Sequence, residues 1–176
     1  FLSISYNSGQ TWEERTVYNQ TDFDNIAMSD NGNNIFIGGS DMYRHEGQWF
    51  VGIATVWRSS DSGNTWIEKT PSANNSYQQW GSLTVSSDGT KVAVVGKDGV
   101  ARTNIIFLSK DSGETWTQVP AFRNKQTPAL GIISSADGMT LTAIDQYYIC
   151  NGDTAIAING SIWKSIDGGE TWVRKY

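Results

Sequence analysis

Ser5-Tyr-Asn-Ser-Gly-Gln-Thr-Trp12, Ser59-Ser-Asp-Ser-Gly-Asn-Thr-Trp66, Ser109-Lys-Asp-Ser-Gly-Glu-Thr-Trp116 and Ser165-Ile-Asp-Gly-Gly-Glu-Thr-Trp172 are four copies of one phrase, S-x-D-x-G-x-T-W. The Trp-to-Trp steps are 54, 50 and 56 residues. A phrase recurring at about 40–50 residues marks a repeat architecture, in which each unit needs its neighbours to bury its apolar face.

Outward from each octet the chain reads as strand. Phe1 to Ser5, Ala54 to Ser59, Ile105 to Ser109 and Ser161 to Ser165 precede the octets. Thr11 to Val17, Thr65 to Lys69, Thr115 to Val119 and Thr171 to Lys175 begin at the Thr-Trp pair and follow them. Their β-branched and aromatic residues suit a pleated surface. The central glycine supplies the positive φ of a tight turn. The acidic residue accepts bonds from N–H groups of its own turn, and the Trp supplies apolar area whose removal costs about 3–5 kcal/mol when buried.

A second phrase alternates with the first: Ala27-Met-Ser-Asp-Asn-Gly32, Val85-Ser-Ser-Asp-Gly89 and Ser134-Ser-Ala-Asp-Gly138. Apolar strands follow at Asn34 to Ile37, Lys91 to Val95 and Thr140 to Ile144. Asp-Gly between such runs signals a hairpin. The repeat unit therefore holds four antiparallel strands, the make-up of a β-propeller blade.

The octet resembles the Asp-box, or BNR repeat, of sialidase-like, sortilin-like and xyloglucanase-like propellers. The resemblance covers almost the whole chain and implies an all-β propeller. It implies that the octet residues Ser5, Asn7, Gly9, Thr11 and Trp12, Ser59, Asp61, Gly63, Thr65 and Trp66, Ser109, Asp111, Gly113, Thr115 and Trp116, and Ser165, Asp167, Gly169, Thr171 and Trp172 are structural and lie away from the ligand face. Asn7 departs from the pattern by replacing the acid.

The expected organisation is one domain over 1–176: a half blade at 1–18, then blades at about 22–69, 80–119 and 130–175. That is about three and a half blades, against 4–8 in closed rings. The remaining blades are expected from more of the same chain before Phe1, since the start falls mid-blade, or from another subunit.

The chain carries a net charge of −5 with no basic stripe, which argues against nucleic-acid partners. No run approaches the roughly 20 apolar residues of a membrane-spanning helix. The single Cys150 forms no internal disulfide and reads as a small buried residue. Sequons at Asn19, Asn74 and Asn159 are candidate glycan acceptors in a secreted chain. Low Lys content and the resemblance favour an extracellular setting.

The face opposite the octets is expected to carry the loops Gly39 to Gln48, Gly96 to Thr103 and Asp145 to Asp153, with links Asn19 to Asp24, Pro71 to Gln79 and Ala121 to Pro128. Function usually resides on such segments. Tyr43, Arg44, His45, Trp49, Tyr77, Trp80 and Tyr147 form the candidate ligand face. Aromatic faces with amides and a few charges suit sugar rings, although the same aromatics also serve as plugs between blades. No metal site is expected, because His45 is the sole histidine and the acidic spacing fits no ligand pattern. No cofactor is expected either.

No catalytic residue is assigned. A sialidase needs an arginine triad, and none is evident among Arg15, Arg44, Arg58, Arg102, Arg123 and Arg174. A xyloglucanase needs two facing carboxylates. Asp22, Asp24, Asp41 and Asp145 lie near the right face, and nothing marks them as a pair. The reading is a non-catalytic binding or structural module for a glycan or a protein partner. The alternatives are a fragment of a propeller glycoside hydrolase and an assembly factor gripping another protein.

Overall fold

Every predicted hairpin joins neighbours in an antiparallel sheet, and the computed structural model is all-β. It describes residues 2–17, 22–45, 48–71, 78–98, 104–119, 129–151 and 154–175. The two-stranded sheet pairs β1 (Leu2–Ile4) with β2 (Glu13–Arg15). The first four-stranded sheet holds β3 (Asp22–Met28), β4 (Ile35–His45), β5 (Gln48–Ser59) and β6 (Ile67–Glu68) in chain order. The second holds β7 (Gln78–Val85), β8 (Val92–Asp98), β9 (Asn104–Ser109) and β10 (Thr117–Val119). The third holds β11 (Ala129–Ser134), β12 (Leu141–Asn151), β13 (Thr154–Ser165) and β14 (Val173–Arg174).

One register repeats through the three large sheets. The octet serines Ser59, Ser109 and Ser165 pair with Ile35, Val92 and Leu141. On the first strand of each sheet the register shifts at the same height, between Phe23 and Asn25, Trp80 and Ser82, and Ala129 and Gly131. Repeated bulges of this kind bend and twist a strand as designed features. β7 lies against both β3 and β11, so the first strands of the sheets run side by side.

The core lies between sheets. Phe36, Val56, Leu83, Val94 and Phe107 close the interface of the first two large sheets. Val95, Ile106, Leu108, Ile132 and Ala143 close the interface of the second and third. Polar bonds cross the same interfaces. The N–H of Asp30 donates to Ser87 O at 3.0 Å, and the N–H of Ser87 donates to Ala136 O at 2.7 Å, a relay from hairpin to hairpin.

Two expectations need correction. The strands after the octets are only two or three residues long and begin after the Trp, because the Thr-Trp pair is taken up by the turn. The segments expected as loops at Gly39 to Gln48 and Asp145 to Asp153 are largely strand. β4 and β5 pair from Ile35 to His45, and β12 and β13 pair from Leu141 to Asn151. Extended backbone with a continuous ladder satisfies peptide groups that a loop would leave to water.

Candidate functional site

The octets are closed units. In the second copy the Ser59 hydroxyl donates to Asp61 Oδ1 at 2.8 Å and accepts the N–H of Gly63 at 2.8 Å. Asp61 Oδ1 accepts the N–H of Thr65 at 2.8 Å, and Oδ2 accepts its hydroxyl at 2.6 Å. The Trp66 indole N–H then donates to Gly63 O at 3.1 Å. The third and fourth copies repeat the Ser–Asp–Gly–Thr pattern. Ser62 and Ser112 hold φ values of 58° and 59° beside glycines at 88° and 84°, so two consecutive residues are left-handed. Trp116 differs from the other octet tryptophans: its indole N–H reaches Lys69 O of the preceding sheet at 2.8 Å.

The second phrase proves to be a miniature of the same device. Ser86 donates to Asp88 and accepts the N–H of Lys91, and Ser135 does the same with Asp137 and Thr140. In the first sheet Asn31, and not Asp30, takes the acidic position, bonded by Ser29. Ser29, Ser86 and Ser135 were missed as turn-formers. The signal was present as S-x-[DN]-G at Ser29 to Gly32, Ser86 to Gly89 and Ser135 to Gly138.

These bonds depress the carboxyl groups. Thr65 and then Ser59 hold Asp61 down at about 2, and Ser86 and Thr90 hold Asp88 at about 2. Asp111, Asp137 and Asp167 are lowered for the same reason, with Thr115, Ser135 and Thr171 as the largest causes. Acids stabilised as ions by their own turns serve as hydrogen-bond hubs.

The opposite end of the sheets carries the candidate ligand residues. Arg44 stands across the ladder from Trp49, Tyr43 from Phe50 and His45 from Gln48. Tyr147 stands across from the sequon residue Asn159, within the β12–β13 ladder. Tyr77, Asn19 and Asn74 lie outside the described residues. Trp80 takes the inter-blade plug role expected of it as an alternative to the ligand face. It is 4% exposed and meets Phe107 edge to face at 5.9 Å, and its indole N–H has no hydrogen-bond partner among the described residues. It is a wedge between the first and second large sheets.

Asp145 is likewise enclosed. Its Oδ1 accepts the N–H of Ser161 at 2.9 Å and its Oδ2 accepts the Trp163 indole N–H at 3.1 Å. Asp24 is exposed at the bulge of β3. Arg15 pairs with Glu13 on β2, while Arg58 is held on β5 by Asn34 and Glu114.

No protein-family model matches the chain. It is 28% identical over 157 residues to a xyloglucanase of Acetivibrio thermocellus, covering 80% of this chain and 18% of that protein. It is also 28% identical over 148 residues to a sialidase of Paraclostridium sordellii, covering 64% of this chain and 36% of that one. The chain thus spans well under half the length of these relatives. Among solved structures it resembles YCF48 bound to a D1 peptide, with a TM-score of 0.62 at 18% identity over 98% of this chain and 46% of that one. It also resembles a xyloglucanase from Xanthomonas campestris, with a TM-score of 0.65 at 14% identity over 96% of this chain and 24% of that one. The fold is that of a partial β-propeller similar to those of xyloglucanases and sialidases.

Proposed function

We propose that the chain is part of an Asp-box β-propeller that binds an extended glycan on the face opposite the octets, without cleaving it. The β4–β5 hairpin supports this reading most. Its ladder continues beyond the buried Ala54 as far as His45 and Gln48, and Tyr43, Arg44, His45 and Trp49 fall on this stretch, remote from the octet. Aromatic planes beside amide and guanidinium groups suit the apolar faces and hydroxyls of sugar rings. The four-stranded units are the blades at about 22–69, 80–119 and 130–175, and the rest of the ring comes from the same longer protein or another subunit. An extracellular setting fits a polysaccharide ligand.

Affinity electrophoresis in xyloglucan gels tests this. Retardation that weakens on Trp49→Ala, with no release of reducing sugar, is the expected result. Unretarded migration in xyloglucan and in other plant polysaccharides overturns it. The xyloglucanase relatives favour a second reading, a glycoside hydrolase segment. That reading requires reducing-sugar release abolished by replacing Asp24 or Asp41. The similarity to the peptide-bound YCF48 structure favours a third, a protein-binding assembly factor. Co-purification of one defined protein, lost on altering the same hairpin, distinguishes it.

A further inference from the structure

The repeated register lets one interface be compared with the next, residue by residue. One step before the octet serine, Arg58 pairs with Phe36 in the first large sheet, and Leu108 pairs with Ala93 in the second. Phe36 points at the second sheet, whereas Ala93 and Leu108 point at the third. Between the first and second sheets, the Phe36 ring fills the space beneath Gly113, where an added Cβ would stand 3.4 Å from it. The Arg58 guanidinium lies over that ring at 6.0 Å, held by Asn34 Oδ1 at 2.7 Å.

Between the second and third sheets Leu108 takes over the contact with the octet glycine, Gly169. Leu141 joins it, its Cδ1 3.0 Å from where a Cβ on that glycine would stand. A partly open cavity of about 160 Å³ lies beside them, with Ala93, Leu108, Leu141 and Met139 on its apolar side and Lys91, Lys110, Asp167 and Glu170 where it opens on the octet side of the sheets.

We propose that this cavity is a binding site for a small neutral aromatic molecule of indole or phenol size, seated beside Ala93 between the second and third sheets. The volume is of the size that takes one aromatic ring, about 150 Å³ in an enclosed apolar cavity. Charge argues for a neutral ligand, because the ionic groups at the mouth are engaged. Lys110 Nζ pairs with Glu170 at 2.8 Å, Lys91 Nζ donates to Asp137 O at 2.8 Å, and Asp167 is bonded by Thr171 and Ser165. One polar feature remains on the wall. The hydroxyls of Thr84 and Ser134 lie 2.9 Å apart, and Ser134 also reaches Val85 O at 3.3 Å. With Ser134 donating to Val85 and Thr84 donating to Ser134, the Thr84 oxygen keeps a lone pair for an indole N–H or a phenol O–H.

Indole titrated into the full chain, followed by methyl NMR and by thermal unfolding, tests this. The expected result is saturable shifts of the Leu108 and Met139 methyl signals and a Tm that rises with indole concentration. Ala93→Phe puts a ring into the cavity and should weaken indole binding about tenfold or more. If that variant does not fold, Ala93→Ile with the same titration takes its place. No saturation up to the solubility limit of indole, or full affinity in the filled variant, overturns the proposal. Equal binding of cyclohexanol overturns its aromatic part.

Discussion

Asn7 separates charge from geometry at the octet's acidic position. Its Oδ1 accepts the N–H of Thr11 as Asp61 Oδ1 accepts that of Thr65, but its Nδ2 donates to the Thr11 hydroxyl at 2.8 Å. In the acidic octets the threonine donates instead. The turn therefore tolerates either polarity. Asp111→Asn should lower Tm at neutral pH, because the charge-assisted bonds are lost, but by less than Asp111→Ala, as differential scanning calorimetry would show. Acid separates them further. Folding lowers the Asp61 and Asp88 carboxyls from 3.8 to about 2. Their ionised forms stabilise the fold fully above about pH 4, and that contribution is lost as pH falls toward 2. Unfolding curves between those limits should flatten when both residues become Asn; an unchanged slope would refute the assignment. The buried octet serine matters at every pH. Ser109→Ala leaves the N–H of Gly113 without its acceptor and should cost about 1–3 kcal/mol in urea unfolding. Trp80 behaves in the opposite way. Because its N–H is already unpartnered, Trp80→Phe should cost far less than Trp80→Ala, which should cost about 3–5 kcal/mol.

Turns and strands answer to local chemistry, which is why so much of each element was readable. Octet and S-x-[DN]-G hairpins sit where Gly and Asp or Asn place them, and the period-2 runs between them are strands. What was not readable depends on a partner elsewhere in space. Gly39, Asp41, Arg44 and Glu46 have loop composition, yet β4 and β5 pair through most of that stretch because the ladder of one supports the other. For Trp80 the sequence offers both a ligand face and a plug between blades, and the neighbouring sheet decides for the plug. The cavity beside Ala93 was invisible until the register aligned that residue with Phe36. The same distinction grades the glycines. Gly32 has a φ of 71° and open space around it, so Gly32→Ala should cost only the left-handed strain of about 1–2 kcal/mol. Gly169 has a φ of 96°, and an added Cβ would stand 2.6 Å from Leu108 Cδ1. Gly169→Ala should therefore cost more in the same denaturation assay, since the buried Leu108 and Leu141 side chains must also give way.

At the scale of the whole molecule, the outer faces of the first and third large sheets expose apolar side chains. Ile144 and Ile162 face each other across the β12–β13 ladder at the height occupied by Val95 and Ile106 in the second sheet. Val95 and Ile106 are fully buried by the third sheet, whereas Ile144 and Ile162 are 45% and 40% exposed. Ile133 adds to the same face, and Ile26 and Met28 are exposed at the opposite end. Contiguous apolar surface of this kind drives association when nothing covers it. The chain alone should therefore self-associate with rising concentration in sedimentation velocity. Ile144→Lys combined with Ile162→Lys should shift it toward monomer while leaving its unfolding midpoint nearly unchanged. Val95→Lys, at the equivalent position one sheet earlier, should abolish folding, because it places an unpaired charge inside an interface. If both variants unfold the chain, the outer face of the third sheet is already covered within the molecule, and the open stack described above is wrong. If neither alters association, the contact lies elsewhere, and the exposed β3 face with Ile26 and Met28 is the next to test by the same substitution.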